Sequence, residues 1–165
     1  MLVRPLFRTR RRGTYLVEFA FVGSMFFLFL FGIIEYARFV MTLEVLQSAA
    51  REGARYAVVH TYDKKTIDIQ NLVDARLANL GTTFTNYNKT TSIQVYVADP
   101  VKGTPVDING NPVNQWTKAP FTNAKFGQPI AVQITGTYQP MLPTLLLMKT
   151  SLALKARYLM YSEAN

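Results

Sequence analysis

Close to the amino terminus of this 165-residue chain lies a run of sixteen residues without a charge, Phe19-Ala-Phe-Val-Gly-Ser-Met-Phe-Phe-Leu-Phe-Leu-Phe-Gly-Ile-Ile34. Alone it would span about 24 Å as a helix. Counted from Thr14 it spans about 31 Å, the thickness of a bilayer's hydrocarbon core. Ahead of it stand Arg4, Arg8, Arg10, Arg11 and Arg12, with no acid among the first 13 residues. The formal net charge of +8 is therefore mostly a basic tip, which points to a membrane surface and not to nucleic acid. Positive charge before the span places the amino terminus in the cytoplasm and the rest outside. A secretory signal peptide shares this order, but no small-x-small cleavage site follows and helical signals run on past Glu35. The reading is a retained membrane helix.

Glu18 is the odd residue in that span. A carboxylate at the bilayer edge is costly, so it needs a partner or a function, unless it snorkels to the cytoplasmic headgroups. Its context is Arg10-Arg-Arg-Gly13, then Thr14-Tyr-Leu-Val-Glu18. A basic leader, a Gly, and a Glu five residues on resembles a type IV prepilin. The resemblance implies that a membrane peptidase cuts between Gly13 and Thr14, and that Glu18 neutralises an amino-terminal amine during subunit packing.

Helix formers continue without proline through Val59. Phe39, Leu43, Leu46, Ala50, Ala54, Ala57 and Val58 fall on one stripe at three- and four-residue spacings. One helix over Thr14–Val59, about 68 Å long, would lie half in the membrane (14–34) and half beyond it (35–60). Glu35–Arg38 and Glu52–Arg55 are spaced as i,i+3 pairs, and Glu35 is expected near the outer face, compensated by water and Arg38. The small residues Ala49, Ala50, Gly53 and Ala54 permit close approach, either by this chain's own sheet or by another subunit.

Three segments in order, Arg12-Gly-Thr-Tyr-Leu-Val-Glu-Phe-Ala20, Phe31-Gly-Ile-Ile-Glu-Tyr-Ala-Arg38 and Ala49-Ala-Arg-Glu-Gly-Ala-Arg-Tyr-Ala57, resemble the TadE-like family. Its members are minor pilins, or pseudopilins, of the tight-adherence (Tad, type IVc) pilus. The resemblance covers about residues 10–60. It implies a role in starting or tipping pilus assembly, a single-pass location in a bacterial inner membrane, and processing by a prepilin peptidase of a leader at 1–13. The implied partners are TadF-like minor pilins, the major Flp-type pilin and the inner-membrane assembly platform.

Residues 61–165 form the expected domain outside the membrane. Asp68–Leu80 predicts a short amphipathic helix, capped by Thr66 or Asp68 and ended at Gly81. Alternation at 93–97, 130–135 and 152–157 predicts three half-buried strands. The expected fold is α+β and type IV pilin-like, a long helix packed on a small antiparallel sheet of about three strands. Between the first two strands the proline-rich stretch from Asp99 to Pro129 contains the Asn109-Gly110 turn signal. Trp116, Phe121 and Phe126 there are either partner contacts or tucked beneath the loop.

The chain has no Cys and one His, and it lacks phosphate-loop, dinucleotide, zincin and nucleophile-elbow motifs. Asp99, Asp107 and Asn109 do not match a calcium loop, and His60 reads as a solvated helix end. No catalytic residue, metal or cofactor is expected. An anchored, uncleaved scaffold is the alternative among binding proteins, and a tethered hydrolase is the alternative of a different class.

Overall fold

The computed structural model describes residues 12–63, 65–107, 109–143 and 148–163, so most of the expected leader, with Arg4, Arg8, Arg10 and Arg11, lies outside the described residues. Helix α1 runs over Arg12–Val59, 48 residues, or about 72 Å. Its first half is bare, with Phe19, Phe21, Phe26, Phe29 and Ile33 all exposed. From Glu35 onward the same helix is buried along one side.

Four strands, β1 (Phe84–Thr85), β2 (Ile93–Val97), β3 (Pro129–Tyr138) and β4 (Leu152–Tyr161), make one antiparallel sheet. On one side β3 pairs with β4 over ten residues, from Pro129↔Tyr161 to Tyr138↔Leu152. On the other, β2 and β1 lie end to end, as Ile93↔Ile134 and Phe84↔Tyr138 show. The three expected strands are present. The fourth, β1, has two residues and so no periodicity to read. Its Phe84 ring lies over Gly136, where a side chain on β3 would overlap it.

Helix α2 (Thr66–Leu77) lies beside α1 and starts two residues before the expected boundary. The Asp68 carboxylate accepts from the Lys65 amide at 2.9 Å, holding the first turn from within. A 3-10 segment, Ala78–Thr83, follows and bends at Gly81, whose φ of +49° favours glycine. A one-turn helix, α3 (Lys89–Ser92), leads into β2. Gln70 of α2 is buried and donates to the Ile93 carbonyl at 2.8 Å, a tie that a search for apolar periodicity passes over.

The main core lies between α1, α2 and the sheet face bearing Ile93, Val95, Ile130, Val132 and Ile134. β4 is half-buried as expected, with Leu154 and Ala156 buried and Lys155 and Arg157 exposed, but β2 is buried except at Gln94 and β3 is buried on both faces over residues 129–134. The reason is the 99–128 stretch, which folds over the far face, where Val113, Trp116 and Ala119 pack with Tyr96, Ala131 and Leu159. It also covers the free edge of β2, with Val97 N donating to Ala119 O at 2.9 Å and Val106 N to Val97 O at 3.0 Å.

Candidate functional site

The features that bear on function lie along α1, and the sheet decides which of them are free. Ala49, Ala50, Gly53 and Ala54 are all buried within this chain. A Cβ on Gly53 would stand 2.6 Å from Val73 Cγ2 on α2 and 3.3 Å from Val132 Cγ1 on β3. The small residues thus let α1 seat against its own α2 and sheet; the alternative, a subunit contact at this stripe, is not available while they are covered.

The buried side of α1 begins four residues before Phe39, at Glu35, which is 3% exposed. The expectation that water compensates this acid is overturned. Tyr138, at the end of β3, donates its phenolic hydroxyl to Glu35 Oε1, and the Met141 amide donates to the same carboxylate at 3.3 and 3.4 Å. Arg38 does pair with Glu35, at 3.4 Å, and its other nitrogen donates to Thr83 Oγ1 at 2.9 Å. Phe39 meets the Tyr138 ring edge-on at 5.3 Å. Burial, reinforced by the carboxylate, pushes the Tyr138 phenol up to about 12. This collar ties α1, the 3-10 segment and the residues that follow β3 at one level. Sequence reasoning missed it, although Glu35 continues the stripe that it had drawn from Phe39.

Toward the amino terminus the picture is the reverse. Gly13, Thr14 and Glu18 are exposed on the first turns of α1. Apart from its chain neighbours and its own helix backbone, no described residue lies within 4 Å of a Cβ built on Gly13. Glu18 forms no hydrogen bond or ion pair among the described residues, although it sits one helical turn from Thr14.

The loop aromatics part company. Phe121 is 0% exposed and belongs to the main core, so it is no contact residue; Trp116 is half-buried against the far face of the sheet. Only Phe126, at 66%, stands free. The loop carboxylates hold their own turns. Asp99 accepts from the amides of Val101 and Lys102 at 2.9 and 2.6 Å, and Asp107 from those of Asn109 and Asn111 at 2.9 and 2.8 Å. These donors hold both carboxyls below the usual carboxylate range. Gly110, at φ +84°, completes the expected turn.

Glu52 pairs with Arg76 of α2 at 2.6 Å, and not with Arg55 as its spacing suggested, because α2 brings a guanidinium alongside. His60 closes α1 with Nδ1 3.1 Å from Asp63 and its ring against Tyr56. Among the described residues no cluster of three His, Asp or Glu side chains could hold a metal ion. What the arrangement provides is a helix bare at one end and firmly gripped at the other.

The family model of TadE-like proteins matches residues 13–55, from the glycine before Thr14 through the small-residue stripe. No curated protein and no solved structure matches the chain.

Proposed function

We propose that this chain is a non-catalytic minor pilin of a Tad pilus, held in the inner membrane by the first half of α1, with residues 61–165 in the periplasm. It helps to start or tip assembly through contacts with TadF-like minor pilins, the Flp-type pilin and the assembly platform. The observation that carries this reading is the division of α1. Its first half is apolar enough to cross a membrane, with its most apolar stretch unburied among the described residues, and its second half serves as the spine of a domain. The TadE-like match runs through both halves.

The bare carboxylate fits the same reading. Cleavage between Gly13 and Thr14 would create an amine one helical turn from Glu18. An amine entering an apolar bundle is far less costly when paired than when alone. Glu18 supplies that pairing, with its own amine or with a neighbour's.

Mass spectrometry of the mature chain, purified from cells with an active Tad system, tests the proposal. A chain starting at Thr14 is the expected result. A chain that still starts at Met1 while the pilus is being made identifies an uncleaved, anchored scaffold instead.

A further inference from the structure

Residues 139–143, which follow β3, are fixed at the level of α1 where the apolar run ends. Met141 N donates to the carboxylate of Glu35, the residue that follows Ile34. The far flank of this turn is held as well, with Met148 N donating to Pro143 O at 2.9 Å. Met141 is 67% exposed, Leu142 37%, and Tyr36, the residue after Glu35, 70%. Between turn and helix lies an apolar cleft of about 350 Å³ lined by Gly32, Glu35, Tyr36, Phe39, Met148 and Leu152. Glu35 does not make this surface acidic, since its carboxylate is buried and fully engaged inside the collar. Lys149, the residue after Met148 of the cleft lining, is exposed.

We propose that this surface is a second membrane contact. Met141 and Leu142 lie in the interfacial zone of the outer leaflet, an acyl chain rests against the cleft, and Lys149 faces lipid phosphate. The inference rests on reading α1 as the membrane span. A span of about 20 residues from Thr14 ends at residue 33 or 34, so Glu35 stands at the interface. Whatever is hydrogen-bonded to Glu35 stands there too. Three further features favour lipid: the exposed side chains continue the apolar run of α1, Tyr36 is an aromatic at interface depth, and an exposed cation follows Met148 in the chain. A helix alone leaves the attached domain free to tilt and turn. A helix and a turn together hold it in one orientation on the bilayer.

Because the chain has no Cys, single reporters can be placed cleanly. Met141→Cys, Leu142→Cys, Ile34→Cys and Phe126→Cys are each labelled with an environment-sensitive NBD fluorophore. The full chain is then reconstituted in phosphatidylethanolamine–phosphatidylglycerol vesicles carrying nitroxide lipids. Labels at 141 and 142 should emit to the blue and be quenched by shallow nitroxides several-fold more than the label at 126. If they are instead quenched by aqueous iodide like the label at 126, while Ile34 stays lipid-quenched, the helix spans but the turn does not touch the membrane, and the proposal falls. Loss of lipid quenching at Ile34 as well would overturn the membrane reading itself. Protection at 141 and 142 that appears only at high protein-to-lipid ratio, without nitroxide quenching, would assign the surface to a second copy and also overturn the proposal.

Discussion

Glu35 and Glu18 are the two carboxylates on the membrane-proximal part of α1, and the chain treats them in opposite ways. Glu35 is closed into the collar, so Tyr138→Phe leaves a buried carboxylate short of a donor. We expect it to destabilise the full chain in detergent by about 1–3 kcal/mol, read by chemical denaturation. Glu35→Gln should cost a similar amount, since Arg38 and the Met141 amide both lose the charge they address. The phenol has its own signature in pH. Tyr138 binds its proton more tightly in the folded chain than its ordinary value of 10 would have it. Its contribution is therefore complete below pH 10 and is lost as pH rises toward about 12. Tyr138→Phe should flatten that part of the alkaline stability curve; an unchanged curve would mean that the phenol does not meet the carboxylate. The burial of Glu35 could be read from its place four residues before Phe39. Its partners could not, because Tyr138 and Met141 come from the far end of another element and no local pattern connects them.

At the level of elements, α1 was the most legible part, since a long proline-free run with one stripe admits few other structures. The seat of Gly53 tests how tightly that stripe fits. In an isolated helix, Gly→Ala stabilises by about 1 kcal/mol. Here the new methyl would stand 2.6 Å from Val73 Cγ2, on a stiff β-branched side chain. We expect Gly53→Ala to lower thermal stability and Gly53→Leu to lower it further, by about 1–3 kcal/mol or more. A gain in stability for Gly53→Ala would show that α1 and α2 sit farther apart than described. Less legible was the 99–128 stretch. Its prolines and Asn109-Gly110 announced turns, yet whether Phe121 enters the core depends on where the whole excursion folds back, which is a property of the sheet and not of the segment.

For the whole molecule, the proposed function makes the division of α1 a separation between what folds the chain and what joins it to others. Glu18→Gln removes the charge while retaining size and hydrogen-bonding capacity. It should leave membrane insertion and domain stability unchanged and reduce co-purification with partner pilins. Glu44→Gln, at an exposed position on the outer half of α1, is the matched control. Equal recovery of partners with both variants would remove Glu18 from the assembly mechanism. The collar also carries a consequence in time. Glu35 meets Tyr138 across 103 residues of chain. During synthesis α1 is complete long before β3 exists, and contacts of such separation close late. The spine must wait with its packing side open, and from Ala49 to Ala57 the buried part of that side is alanine and glycine. Small side chains give a newly made helix little sticky surface to misplace while it waits for its sheet.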